Sequence, residues 1–499
     1  MEIALKNKSV SVYKELSHQI KRHQDSIDRV VPDVNDDVGK IVTYDHSLFL
    51  KSKDVTSNGV LVNGEIQISI LYITETEDNV SSIKLNKPFM FEFDIPDIKP
   101  TAIPQINMRL NNIESRIINP RKLSVSYELF AELSVFTTGD IDECSIIDEE
   151  HARQLKYKID SVNVSVPNAV CEKTFALNEQ FLFSSSNEKP RAIIFARPTI
   201  NITDTQHVGS KLIVKGSMTL NVCYHSSDCN YPHKCEFTSN FSQIVDTGTE
   251  ESDSCVLKCE ITSFYYNLVE TISGDYALDT ELHALTQLVN CKKQAVEYIS
   301  DAYCNTMPWK NNMNKEIING FGESMHERID LDEKINVADD CKDILCVFPS
   351  VCQLAVIQNK LSGIINFDII YKNKNDCICS VRRSCSITSD ELCSGARLID
   401  YRITSINIRP NETLMDAKIV LTVYYQCSNT VEYSKVCSVE LDEEHRIDLM
   451  DYPSITLVKY DNESLWDLAK KYPSSVDKIA ALNDLEKYEN NFIMIPKEC

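Results

Sequence analysis

Along most of the chain apolar and polar residues alternate with a period of two, the mark of strands buried on one face only. The run VNGEIQISILY carries Ile66, Ile68, Ile70 and Tyr72 on one side, and VKGSMTLNVCY and LSGIINFDIIY repeat its pattern. In all three a tyrosine follows a glycine by eight positions: Gly64 and Tyr72, Gly216 and Tyr224, Gly363 and Tyr371. The glycines lie 152 and 147 residues apart, so the chain reads as three copies of one module. A glycine inside a strand predicts a bulge or a close backbone approach, because a missing Cβ is otherwise only a cost.

Each copy continues through a polar stretch into a second strand-like run, such as PFMFEFDI from Pro88, which predicts a hairpin with a longer loop. Another alternating block closes each copy: SVSYELFAELSVF from Ser124, YALDTELHALTQLV from Tyr276 and LMDAKIVLTVYY from Leu414. VSVYKELSHQIKR near the start fits either a short helix or a strand. Linkers are expected at DIDECSIIDEEHARQ from Asp140, MPWKNNMNKE from Met307 and DEEHRIDLMDYPS from Asp442.

From Ile455 the pattern changes to ITLVKY, SLWDLAKKY, SSVDKIAALNDL and NFIMIP, which reads as strand, helix, helix, strand. Leu465, Leu468, Ala469 and Tyr472 fall at helical spacing, and Ser475 sits where the second helix wants an N-cap hydroxyl. Trp466 is expected to fill this small core. The predicted architecture is mainly β: three tandem antiparallel β-rich modules over 1–146, 155–305 and 314–446, then a small βααβ unit over 453–499.

Composition narrows the function. With 43% hydrophobic and 25% charged residues the 499-residue chain is folded, and its length calls for several cores. The net charge of -23 argues against nucleic acid or anionic membrane as the main partner, since phosphate binding draws on clustered Lys and Arg. The N-terminus lacks the apolar stretch of a secretory signal, so a cytosolic location is expected. ILCVFPSVCQLAVIQ from Ile344 is interrupted by Pro349, Ser350 and Gln353, so no membrane span is expected.

Nineteen cysteines, none before Cys144, read as reduced thiols acting as small core hydrophobes or as thiols that cross-link neighbours once conditions turn oxidising. No Gly-x-Ser-x-Gly elbow, Walker loop, His-Glu-x-x-His helix or Rossmann glycine pattern occurs, and no catalytic residue or cofactor is expected. One metal candidate arises in CYHSSDCNYPHKC, where Cys223, His225, Cys229, His233 and Cys235 offer zinc-type donors that a hairpin would gather. It has no CxxC knuckle, and the other copies lack the set, so coincidence in a cysteine-rich hairpin is the plainer reading.

The tail resembles a LysM domain, with Leu465, Trp466, Leu468, Ala469, Tyr472, Ile479, Asn483, Leu485, Ile495 and Pro496 on that pattern. The Gly-Asp-Thr turn that normally faces N-acetylglucosamine is replaced by Asp461, Asn462 and Glu463. The β-modules resemble the SPOCS family of sporulating Clostridia, through VVPDVNDDVGKIV from Val30 and RIINPRKLSV from Arg116; the later copies are more diverged.

What the resemblance implies is a non-catalytic, mother-cell coat scaffold at the forespore surface, later part of the spore coat. Its LysM tail would bind a coat ATPase of the SpoIVA type, alongside other coat proteins. The implied contact region is Asp461, Asn462, Glu463, Leu465, Trp466, Asp467, Lys470, Lys471 and Asn483. The alternative is a peptidoglycan- or N-acetylglucosamine-binding protein of the spore envelope. Exposed sheet edges also predict self-association.

Overall fold

The computed structural model describes the chain apart from residues 1, 76–78, 147–154, 185–186, 228, 230, 251, 337–340, 412–413, 460–462, 484–491 and 499. After a short strand β1 (Glu2–Ala4), the first module runs β2 (Lys6–Val30), β3 (Val38–Thr56), β4 (Gly59–Thr74), β5 (Val80–Asp94), β6 (Ile103–Asn119) and β7 (Lys122–Ile146). The second runs β8 (Leu155–Leu182), β9 (Pro190–Val208), β10 (Lys211–Ser226), β11 (Pro232–Asp246), β12 (Ser254–Glu270) and β13 (Tyr276–Cys304). The third runs β14 (Trp309–Asn336), β15 (Cys341–Ile357), β16 (Lys360–Asn373), β17 (Ile378–Glu391), β18 (Arg397–Asn411) and β19 (Leu414–Leu441).

All three share one topology. The second to fourth strands form an antiparallel meander, and the last strand pairs antiparallel with both the first and the fifth. In the first module the two sheets close over one core that runs from Ile66, Ile68, Ile70 and Tyr72 to Leu123, Val125, Tyr127 and Leu129. The segment that suited either a helix or a strand is strand, part of β2. The expected linkers are shorter than their composition implies: β7 runs to Ile146, and β14 begins at Trp309 inside MPWKNNMNKE, where its backbone pairs along β19.

The repeated glycine lies on the middle strand of each meander. A Cβ on Gly64 would sit 2.3 Å from the Phe89 ring, and one on Gly216 would sit 2.5 Å from the Asn201 carbonyl and 2.6 Å from the Phe241 ring. In the third copy the space is taken by Leu354, whose Cδ1 would lie 2.8 Å from a Cβ on Gly363. The pairing with the preceding strand is irregular beside each glycine, so both the bulge and the close approach are present. The tyrosine eight residues on is buried in every copy.

The two blocks that carry the family resemblance meet at one end of the first sandwich. Arg121, in the turn between β6 and β7, donates to the carbonyls of Asn35 at 2.7 Å and Val31 at 3.1 Å, and to the carboxylates of Asp37 at 3.0 Å and Asp33 at 3.1 Å. The Tyr72 hydroxyl donates to the Asp36 carbonyl at 3.1 Å. The Pro-Asp loop is therefore held from both sheets.

The modules gather around a common axis. Leu71, Cys223 and Ile370, each one residue before the repeated tyrosine, face away from their own sandwich cores and share a cluster with Val42, Phe195, Cys346 and Phe348. Polar contacts ring this cluster. Arg197 meets Asp45 at 2.7 Å between the first two modules, and Thr43 donates to Asp368 at 2.7 Å between the first and third. Lys234 donates to the Val347 carbonyl at 2.7 Å between the second and third. The Gln287 side chain pairs with the backbone of Ile106 in both directions, at 2.8 and 2.7 Å, and so closes the outer edge of β6.

The ends of the long last strands link the modules as well. Tyr298 of β13 bridges in parallel to Cys144 of β7, and β1 pairs antiparallel with Ser438–Glu440 of β19. Through that pairing the start of the chain reaches the third module, with Ile3 buried among Leu155, Ile299, Val436 and Val439.

Candidate functional site

The tail forms β20 (Ile455–Lys459), α1 (Leu465–Lys471), α2 (Val476–Leu482) and β21 (Phe492–Pro496), with β20 antiparallel to β21. Its core is Leu468, Ala469, Ile479, Ile493 and Ile495. Ser464 caps α1: its hydroxyl accepts from the Asp467 amide at 3.1 Å and donates to the Asp467 carboxylate at 2.6 Å. Ser475 occupies the N-cap of α2, but its hydroxyl makes no capping bond and turns instead to the Glu498 carboxylate.

The tail does not hang free of the sandwiches. It is seated on the far end of β13, where Tyr303 joins the tail core and meets the Trp466 ring edge-on at 4.9 Å. The register of β13 slips between Ile299 and Asp301, and the Asp301 carboxylate is turned toward α1. It accepts from the Trp466 indole at 2.9 Å and from the Lys470 ammonium at 2.7 and 2.9 Å. Asn311 donates to the same carboxylate at 2.7 Å.

A second anchor lies at the other side of the tail. The Tyr303 hydroxyl and the Asn305 amide both donate to the Ser474 carbonyl, at 2.9 and 3.1 Å. Lys156 and Lys478 lie 3.0 and 3.6 Å from Glu498, whose carboxyl is held below its ordinary range: burial raises it, but the Lys156 hydrogen bond and the two ammonium charges outweigh that.

The residues expected to contact a partner fall into distinct positions. Glu463 and Asp467 are exposed, and Lys471 extends over the Tyr472 ring at 5.5 Å. Leu465 and Trp466 are half-buried; Trp466 and Lys470 make the seam with Asp301. Asn483 faces inward and ties α2 to β21, donating to the carbonyls of Ile479 at 2.7 Å and Met494 at 2.6 Å and accepting from the Met494 amide at 2.8 Å. Asp461, Asn462 and Leu485 lie outside the described residues. Asp301, Tyr303 and Asn305 carry no signal in the sequence beyond polar and aromatic residues near a strand end.

The cysteine and histidine candidates are not brought together. In the β10–β11 hairpin Cys223 pairs with Lys234 and Tyr224 with His233. That register turns Cys223 and His225 to one face and His233 and Cys235 to the other. Cys223 joins the axial cluster, Cys235 packs on the second sandwich core, and Cys229 sits in the loop between. Among the described residues no group of three or more His, Cys, Asp or Glu is placed to hold a metal ion.

Cys223, Cys291, Cys304, Cys346 and Cys385 are buried, Cys377 is exposed, and Cys393 is joined to Cys427 in a disulfide. Two cavities at the module junctions measure about 10 and 20 Å³, room for little more than a water each. No helix among the described residues is long and apolar enough to cross a membrane.

Residues 37–118 and 191–269 match the family model described as the SipL SPOCS domain. Each stretch covers the second to fifth strands of a sandwich, β3–β6 and β9–β12. The match supports the SPOCS family and a role related to the sporulation coat. No curated protein and no solved structure matches the chain.

Proposed function

We propose that the protein is a non-catalytic scaffold of spore-coat assembly that tethers a coat-basal-layer ATPase of the SpoIVA type to the forespore surface through its LysM-like tail. The observation that carries this reading is the SipL SPOCS match on the first two sandwiches. The tail adds support in two ways. Its strand, helix, helix, strand order agrees with the LysM resemblance, and Asp461, Asn462 and Glu463 replace the turn that holds sugar in glycan-binding members. On this reading the protein acts in the mother-cell cytoplasm, and the three sandwiches are a rigid body that carries the tail to where other coat proteins gather.

The test is a comparison of ligands on the purified full chain. Immobilised protein is exposed to the coat ATPase and, separately, to chitin oligomers and muropeptides. Saturable binding of the ATPase with no glycan binding is expected. Glycan binding with none of the ATPase would replace this reading with that of an envelope glycan binder.

A further inference from the structure

Trp466 and Lys470, two of the residues through which the tail is read to hold its partner, are already engaged within the chain. Asp301 gathers the Trp466 indole at 2.9 Å and the Lys470 ammonium at 2.7 Å, and the Tyr303 ring stands edge-on to the indole at 4.9 Å. Asn311, from the third module, orients the same carboxylate at 2.7 Å. The contact is polar and only part-buried, with side-chain exposures of 31% for Lys470 and 26% for Asp301. Partly exposed charge pairs of this kind are modest in strength and exchange readily with an external ligand.

The geometry points to a latch: Asp301 holds the α1 face of the tail against the second module, and a protein partner that uses Trp466 and Lys470 must displace it. The second anchor, from Asn305 and Lys156 to Ser474 and Glu498, uses other residues and keeps the tail on the body while α1 is freed. The latch lowers the apparent affinity by the fraction of molecules that are closed. The inference rests on the tethering reading and names the regulation of that same surface.

The experiment uses the full chain with Asp301→Asn, which keeps the shape of the side chain and removes its charge. Affinity for the purified coat ATPase should rise by up to roughly fivefold, the scale of one part-exposed charge pair. Trp466 emission should shift to the red in the unliganded variant, reporting a loosened indole. Asn311→Ala, which removes the amide that donates to Asp301 and to the Ala302 carbonyl, should act in the same direction and more weakly; it also serves if Asp301→Asn folds poorly. Wild-type chain that binds the ATPase no more weakly than both variants would overturn the latch and leave the tether standing. Wild-type and variant chains that all fail to bind would remove the tethering reading, and the latch with it.

Discussion

On the common axis Leu71, Cys223, Ile370 and Phe348 interlock from all three modules in a buried apolar cluster, whereas under the tail a single carboxylate gathers an indole and an ammonium at a half-open seam. Burial of large apolar side chains contributes about 1.5–3 kcal/mol each, while a part-exposed charge pair contributes about 1 kcal/mol or less. The sandwiches are thereby joined into one body, whereas the seam between Asp301 and α1 is a part-exposed contact of the kind another protein can exchange. The difference separates a junction built to stay from a seam built to open.

The sharpest way to break this contrast is to place a charge on the axis. Leu71→Asp buries a carboxylate in this apolar cluster, and should destabilise the chain by about 4 kcal/mol or more. Urea unfolding followed by tryptophan emission reads it; a shift smaller than that of a surface control would mean the axis does not hold the modules.

Next in size are the repeated glycines. Gly64→Val drives a side chain into Phe89 and the Phe49 carbonyl, 2.3 and 2.9 Å from the new Cβ, and should cost about 2–3 kcal/mol. Gly209→Ala, at a turn with φ of 58° and nothing within 4 Å, should cost about 1 kcal/mol from backbone strain alone. Equal losses at the two positions would contradict the packing role.

The junction between the first two modules adds a pH dependence. Burial pushes the Glu260 carboxyl from 4.5 up to about 8, with the Met108 amide bond at 3.2 Å and the Lys258 charge opposing it. Its folded value lies above its unfolded one, so the stability it contributes is complete below about pH 4.5 and is lost as pH rises through about 8. The urea midpoint should therefore fall between pH 5 and 8 by an amount that Glu260→Gln removes. An unchanged slope in the variant would assign the dependence to other groups.

Smallest is the outer anchor of the tail. Glu498→Gln loses the part-exposed pairs with Lys156 and Lys478 and should cost about 0.5 kcal/mol or less in global stability. Hydrogen exchange in α1 and α2 should quicken while β13 stays protected; an equal change in both would make the tail and body one cooperative unit.

Much of this body is legible in the sequence. Alternation gives the strands, and the spacing of Gly64 and Tyr72, repeated at Gly216 and Gly363, gives the three copies and the middle strand of each meander. The axis is visible only in hindsight. Leu71 between Ile70 and Tyr72 breaks the alternation, and Ile370 does the same between Ile369 and Tyr371, which marks strand ends buried on both faces. The pairing of β1 with β19 is beyond sequence reasoning, since three residues with no turn to fix them choose a partner more than 430 positions away.

The metal candidate fails for a similar reason. Donor types are readable, but the register of a hairpin sets which face each donor takes, and here it splits Cys223 and His225 from His233 and Cys235. In the tail, helix spacing correctly places Leu468 and Ala469 inside, yet the seam is made by Asp301, whose aim depends on an irregularity in β13 that no local pattern announces.

The central claim is that the tail, and not the sandwiches, holds the protein partner. It is tested most directly by titrating the coat ATPase onto the full chain and onto a chain ending at residue 453, after circular dichroism has confirmed that the shortened chain keeps its sheets. The account predicts saturable binding by the full chain and none by the shortened one. Undiminished binding without the tail would contradict it.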